Sequence, residues 1–474
     1  MSVDSALLGS PPSIGMVRDN GMCTGCGACA FAYPDRFRMK LNDDGCYEPE
    51  ELVQEDGDIA PDDAGAAICP MSGVGPTEDD IAASQWPDLP NDLSIGRHAS
   101  TVAAHVADEA KRMKGGSGGL VSWICSELLR RGDVDGVVHV RPVSNGSELL
   151  FEYAISASED EVLAAAKSRY YPVEMSRVLA ETTASGRRYA FVGVPCFIKA
   201  LRLLKHQGKL SDETAPYLVG LVCGHLKSRY FAEYLAWQKS AAPGTLTGFD
   251  FRHKLPDRPA SDYGFSMTTG SGAERTTKAF PMASVHGRDW GIGLFKLSGC
   301  EFCDDVMAEC ADIAIGDAWL PEFIEDYRGE NIVVLRDPHI AGLVEAGAKS
   351  GALSVTPVTP EDAALSQSSG LRHRREGLAH RLARRQKAGL WSPRKRVAPN
   401  IAGDPKRQEI YDNRMEIAFR SNAAFFKARK AGDISLFEAE MQPFISRLIT
   451  LGRGSLKTRA IGKLKRLARK VLPI

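Results

Sequence analysis

The sequence predicts a mixed α/β (α+β) protein in three parts: a small cysteine-rich N-terminal segment, a central α/β domain, and a basic, mostly helical C-terminal extension. Three observations predict this. Cysteines cluster near residues 23–29 and 300–310, with only two residues between several of them. Between the clusters, from about residue 98, short apolar runs alternate with amphipathic ones. Beyond about residue 350 the composition turns strongly basic. The expected boundaries are therefore 1–95, 96–348 and 349–474.

The composition sets the class. A chain of 474 residues, 43% hydrophobic and 25% charged, has ordinary globular values and length for two or three domains. Eleven cysteines are too few for a disulfide scaffold at this length. Their close spacing points to metal, and so to a reducing compartment. The first residues lack the basic stretch and apolar core of a signal peptide. No run of about 18 apolar residues occurs. The expectation is a soluble cytoplasmic protein.

Cys23, Cys26 and Cys29 stand at C-x2-C-x2-C spacing among Gly, Ala and Thr residues that let the backbone wrap closely. Cys69, followed by Pro70, supplies a fourth thiolate in the Cys-Pro form that closes ferredoxin sites. Three evenly spaced cysteines with a Cys-Pro suit a 4Fe-4S cube, and the segment reads as ferredoxin-like. Zinc is the rival, although its sites favour two separated C-x2-C pairs. Cys46 competes for the fourth position but lacks the proline and follows a turn-like Asn-Asp-Asp-Gly run. Residues 50–64 and 74–95 are acidic and read as loops and linker.

In the central region, residues 100–106 read as a strand. The Lys-Gly-Gly-Ser-Gly-Gly run at 114–119 then feeds an apolar-periodic helix that stops at Gly132. A glycine-rich turn at a helix N-terminus offers free amides to an anion, commonly phosphate, although a flexible turn is an equal reading. Residues 134–140 are a further strand. Residues 189–196 are a buried strand ending in Gly-Val-Pro-Cys, with a helix from Phe197, and 217–225 form another strand with Cys223 near its end. Parallel sheets place ligands beyond the carboxyl ends of their strands. Cys196 and Cys223 are thus candidates to meet Cys300 and Cys303, which grip one centre from a single turn. Cys125, inside an apolar helix, reads as a core thiol.

The glycine turn at 114–119, Ser168-Arg-Tyr170, Phe191 to Cys196, Leu221 to Gly224, Gly248 to Arg252 and Cys300-x-x-Cys303-Asp, continuing to Gly316-Asp317, occur in one order. That order, over residues 20–345, resembles the coenzyme F-420 hydrogenase/dehydrogenase beta-subunit family, which includes 7-hydroxymethyl chlorophyll a reductase and divinyl chlorophyllide reductase. The resemblance implies an iron–sulfur flavoprotein with FAD and a cubane in one domain, besides the N-terminal cluster. By position, Cys196, Cys223, Cys300 and Cys303 match the core-cluster ligands, with Cys310 a reserve. Gly115, Gly116, Ser117 and Gly118 match the turn assigned to FAD, Ser168, Tyr170 and Asp317 match further pocket positions, and Val194 and Pro195 would flank the flavin. Arg252 is a cationic candidate near flavin or substrate, with Arg169 and Lys254. His225, with His253 behind it, is a candidate proton donor. For each of these charged groups the plain reading is surface charge or a structural histidine.

Residues 371–398 carry ten Lys/Arg against one acidic residue. The tail at 454–472 has no acidic residue, and Ile461, Leu464, Leu467, Ala468 and Val471 recur at helical spacing. Such a helix suits an anionic membrane surface, a partner, or an acidic patch of this same chain. Nucleic acid is disfavoured because no aromatic interleaving accompanies the charge.

The sequence therefore favours an FAD- and iron–sulfur-dependent oxidoreductase with two 4Fe-4S clusters. Its expected partners are a ferredoxin or other one-electron redox protein and a small-molecule substrate or deazaflavin. Homo-oligomerisation is compatible with this reading. The alternatives are a non-catalytic relay subunit, a zinc-stapled binding protein, or a reductase acting in cell-surface polysaccharide synthesis.

Overall fold

The structure, a computed structural model, describes residues 12–52, 63–143, 148–256 and 258–452. Its centre is an eight-stranded sheet. In chain order the strands are β1 (Ser100–Val106), β2 (Gly136–Pro142), β3 (Phe151–Ser156), β4 (Tyr189–Gly193), β5 (Tyr217–Leu221), β6 (Ile313–Asp317), β7 (Asn331–Leu335) and β8 (Leu353–Pro357). Their spatial order is β8-β1-β7-β6-β5-β4-β2-β3. The four inner strands β2, β4, β5 and β6 run parallel. The flanking pairs, β6–β7 among them, are antiparallel. Strand β4 is buried along its whole length, which its continuous apolar run Tyr-Ala-Phe-Val-Gly requires of a strand covered on both faces.

Helices cover both faces. Helix α1 (Leu120–Arg131) lays Leu120, Ile124, Cys125 and Leu128 against one face. It opens on Gly119 at φ +88°, a conformation that only glycine adopts readily. On the other face α2 (Pro195–His206) buries Phe197, Ile198, Leu201 and Leu204. Cys125 sits in the first of these cores, 1% exposed, with apolar neighbours.

Strands β4 and β5 are shorter than the apolar runs suggest. Pro195 has no N–H for a ladder and a φ preset for helix, so it opens α2, and Cys196 falls in the first helical turn. Cys223 lies two residues beyond β5, its amide donating to the Val306 carbonyl at 3.0 Å. The sheet also runs past residue 348, because β8 pairs with β1 along Leu353–Pro357. Within the expected linker at 74–95 stands a helix, Glu78–Gln85, closed by a Thr77–Asp80 capping box.

The extension is helical, as its composition predicts: α3 (Ser368–Arg374), α4 (Glu376–Lys387), α5 (Pro405–Ala431) and α6 (Ile434–Gly452). Phe425 of α5 and Phe437 of α6 pack on Phe295 with ring centroids 5.4 and 5.2 Å away. Among the described residues no helix is long and apolar enough to cross a membrane. The basic tail at 454–472 lies outside the described residues.

Candidate functional site

The N-terminal cysteines are held by a turn that needs glycine twice. Gly25 and Gly27 adopt φ +72° and +83°. A Cβ on Gly25 would meet the Tyr47 carbonyl oxygen at 2.8 Å, and one on Gly27 would meet Glu174 Oε2 at 2.5 Å. The Gly25 amide donates to Cys23 Sγ at 3.3 Å. Cys29 lies in the short helix Ala28–Ala32, and Cys69 follows the helix Asp63–Ile68. The thiols of Cys23, Cys26, Cys29 and Cys69 act on one another electrostatically. Burial, reinforced by that mutual repulsion, pushes Cys23 up to about 12 and raises Cys26 and Cys29 as well.

The second set is assembled from three distant segments. Cys196 opens α2, Cys223 follows β5, and Cys300 lies in the 3-10 turn Ser298–Phe302, with Cys303 just after it. Burial raises Cys196, and Cys303, Cys223 and Cys300 add to the effect in that order. The Leu226 amide donates to Cys300 Sγ at 3.2 Å. Cys310 is fully buried, but its electrostatic neighbours are Glu78, Asp305, Lys199 and Arg202, with no cysteine of this set among the principal ones. Cys46 has both Cys300 and Cys23 as neighbours.

Buried cations surround the core set. Arg374 of α3 is 1% exposed, and its Nη2 donates to the Gly224 carbonyl at 2.7 Å. Burial opposes its charge, but Cys303, Cys223 and Cys300 together hold it above its ordinary value. Lys227 and Lys296 are likewise buried and have Cys300 as a neighbour. Lys227 lies over the Phe231 and Trp290 rings at 4.6 and 4.9 Å, and burial lowers it to about 7. The buried carboxylate Glu301 is already engaged by Lys296, by His373 at 3.2 Å and by Arg381 at 3.2 Å.

This donor chemistry fits a cubane cluster. Four buried thiols favour deprotonation only when positive charge compensates them, and a thiolate-bound iron–sulfur centre carries net negative charge that buried cations would balance. Among the described residues no three of His, Cys, Asp or Glu close on one point as ligands of a single ion. In a cubane each thiolate takes its own iron.

The basic run is turned inward onto the acidic loop that follows Cys303. Arg396 grips Glu309 with two bonds of 2.7 and 2.9 Å and donates from Nη2 to the Asp304 carbonyl at 3.1 Å. Lys395 reaches Asp304 at 3.3 Å, and Arg381 Nε donates to the Glu301 carbonyl at 2.7 Å. Leu378 and Leu382 of α4 share a core with Met22, Met71 and Phe302, against which Cys23 and Cys69 pack. Residues 371–398 thus pair with an acidic patch of the same chain. The available signal was charge complementarity with Glu301, Asp304, Asp305 and Glu309.

A third group gathers at the glycine turn. Arg252 forms a two-pronged pair with Asp317 at 2.9 and 3.1 Å, and its guanidinium lies over Tyr263 and Trp319 at 4.4 and 5.3 Å. Lys254 donates to the carbonyls of Arg112 and Ser117 at 2.6 and 2.8 Å, which fixes the turn. Burial, with Lys167, Arg112 and Arg252 nearby, lowers Lys254 to about 7. Gly115 and Gly118 are packing glycines: a Cβ would meet Gly119 Cα at 2.8 Å and Asn331 Oδ1 at 2.7 Å. Gly116, whose Cβ would meet Ser168 Oγ at 2.6 Å, lines a cleft with Arg252, Lys254, Tyr263 and Tyr327. Among the described residues the amides of Gly116, Ser117 and Gly118 meet no acceptor. Free amides beside two cations suit a phosphate-bearing ligand such as FAD. The cleft is narrow, with space for little more than one water, so a dinucleotide enters only if its walls part.

Tyr170 packs on Trp290 with centroids 4.5 Å apart. Val194 caps α2, followed by Pro195 at its first position. His225 stacks obliquely on Trp290 at 4.4 Å, and its Nε2 is buried without a partner. Burial and the neighbouring Lys227, Lys296 and Arg374 hold His225 well below its usual value, so the ring is neutral. Arg169 Nε is buried and unpartnered too, with the guanidinium over Phe151 at 4.8 Å. His253, by contrast, is substantially exposed.

Residues 101–180 match the family model of the coenzyme F420 hydrogenase/dehydrogenase beta subunit N-terminus, and residues 186–361 match that of its C-terminus. The chain belongs to this family. A protein of Nostoc sp., uncharacterized protein all1601, is 27% identical over 236 residues, 48% of this chain and 53% of that protein. The coenzyme F420-dependent sulfite reductase of Methanocaldococcus jannaschii is 23% identical over 246 residues, 46% of this chain and 34% of that enzyme. The chain thus spans about half of one curated relative and a third of the other. Among solved structures, a chain of the F420-reducing NiFe hydrogenase complex of Methanosarcina barkeri aligns at a TM-score of 0.48 and 17% identity. That alignment covers 64% of this chain and 99% of that one. The activities these names carry are redox reactions. The matched region ends at 361, before α3 begins.

Proposed function

We propose that this chain is an iron–sulfur flavoprotein oxidoreductase that moves electrons between a one-electron protein donor and a substrate or deazaflavin-type carrier. The observation that supports it best is the contact between the two cysteine sets. A Cβ on Gly299 would stand 2.5 Å from the Met22 carbonyl oxygen and 2.9 Å from that of Cys23, so the backbones beside Cys300 and Cys23 touch. Cys26 is in turn an electrostatic neighbour of Cys196. When bound, the clusters would supply single electrons and FAD the conversion to two-electron chemistry.

The chain's own residues divide the remaining work. Cys23, Cys26, Cys29 and Cys69 hold the outer centre, and Cys196, Cys223, Cys300 and Cys303 hold the inner one. Gly116, Ser117 and Gly118 offer amides to phosphate, with Lys254 adding charge. Asp317 fixes Arg252 at the cleft, where it orients an anionic group. His225, neutral and with a free Nε2, positions a polar group between the core set and Trp290. Anaerobic purification followed by EPR and by iron, sulfide and flavin quantitation tests the reading. Roughly eight irons and one FAD per chain are expected; zinc without flavin would sink it.

A second reading, a relay subunit without a substrate of its own, is favoured by the narrowness of the cleft. Turnover of a reduced dye by the isolated chain separates the two, since a relay turns over only with its partner.

A further inference from the structure

The Arg374 side chain is supplied by a segment outside the region that the family models match. It is 1% exposed, and only Nη2 has a protein acceptor, the Gly224 carbonyl one residue past Cys223. Its Nε and Nη1 are buried with no hydrogen-bond partner in the protein. Leaving two guanidinium nitrogens unsatisfied in an interior is costly, and a buried arginine needs an anion or acceptors. Nearby Glu301 does not serve, being engaged by Lys296, His373 and Arg381. Its bond to Gly224 sets the guanidinium one residue from Cys223, and Cys303, Cys223 and Cys300 are the groups that favour its charge.

We propose that Arg374 is a positioning and tuning residue of the core centre: its fork donates to the sulfurs held by Cys223 and Cys303 and draws the centre toward its reduced state. The proposal rests on the reading that these cysteines hold a 4Fe-4S cluster. A buried fixed cation favours the form with one more negative charge, and hydrogen bonds to sulfur act in the same direction. The centre gains one electron from the reductant, and no bond is made or broken. The C-terminal extension is then part of the redox machinery. Arg374 sits on α3, and α4 together with residues 395–396 clamps the loop that carries Cys300 and Cys303.

The test is an EPR-monitored redox titration of the full chain, wild type against Arg374→Gln and Arg374→Lys. The exposed Arg372→Gln on the same helix is the control. Arg374→Gln is expected to make reduction of the core centre at least tenfold less favourable, a midpoint lower by about 59 mV for one electron. Arg374→Lys, which keeps the charge but loses the fork, is expected to fall between, and the N-terminal centre and Arg372→Gln to stay at wild-type values. A wild-type midpoint in Arg374→Gln with the cluster intact overturns the proposal and leaves the cluster reading standing. Where Arg374→Gln does not retain the centre, Arg374→Lys decides, and a wild-type midpoint in it overturns the fork. A wild-type chain with no core-cluster signal removes the reading itself and the proposal with it.

Discussion

The two cysteine sets gather buried thiols by opposite constructions. The N-terminal set draws three thiols from one turn, shaped by Gly25 and Gly27 and closed by Cys69. The core set draws four thiols from three segments that only the sheet brings together, and it adds Arg374, Lys227 and Lys296 around them. A local site depends on loop geometry and tolerates change elsewhere. A site built from distant segments depends on everything that fixes those segments, including an extension some seventy residues downstream of Cys303. Cations lower thiols in both sets: Arg18 acts on Cys23, Lys395 and Lys199 on Cys69, and Arg374 on Cys223 and Cys300, each less strongly than burial raises them.

The sharpest break of that comparison is ligand removal. Cys69→Ser is expected to abolish the N-terminal centre and Cys196→Ser the core one, each halving iron content and leaving the other EPR signal in place. Cys310→Ser should leave both. If Cys196→Ser retains the core signal while Cys310→Ser loses it, the ligand assignment falls. Next is Arg396→Ala, which strands Glu309 without its buried partner, leaves Asp304 to Lys395, and should cost about 3–5 kcal/mol, seen in chemical unfolding. It should also make the core centre more labile than the N-terminal one under chelator.

Gly299→Ala addresses the contact between the sets. The added methyl must displace the backbone at Met22 and Cys23, at about 1–3 kcal/mol by thermal unfolding. It should also weaken the spin coupling of two reduced clusters. An unchanged coupling would show that the contact does not set their spacing.

The smallest effect is expected at the cleft, which belongs to neither set. Lys254 titrates near 7 in the fold against 10.5 ordinarily, through burial first and then Lys167 and Arg112. The folded protein therefore sheds this proton earlier than the unfolded chain. The cost of burying the charge is full below about pH 7 and fades as pH rises from 7 toward 10.5. Relative to Lys254→Met, wild type should gain stability over that window. Its affinity for inorganic phosphate should fall through pH 7, and an identical pH profile in the variant would exclude Lys254 from the cleft's anion binding.

Much of this was legible in the chain. The first three thiols of the N-terminal set could be read from spacing because Cys23, Cys26 and Cys29 are sequence neighbours. The parallel strands could be read because residues covered on both faces leave a continuous apolar run, as in β4 and β5. The boundaries of those strands were harder, since an apolar run does not tell where Pro195 turns strand into helix. Residues 371–398 were read only as strongly basic, and charge alone could not say that they turn inward onto Glu309 and Asp304.

By itself the sequence determined the class of the chain, its family and the identity of the thiols that could serve. It could do so because spacing and residue type are local properties. Only the tertiary structure decided that Cys46 neighbours both sets, that Cys310 is buried near Glu78 and Asp305, and that Arg374 is buried one residue from Cys223. Those are facts about segments tens to hundreds of residues apart. What fixes them is burial: a charge removed from water must find its counter-charge wherever the packed chain has placed it.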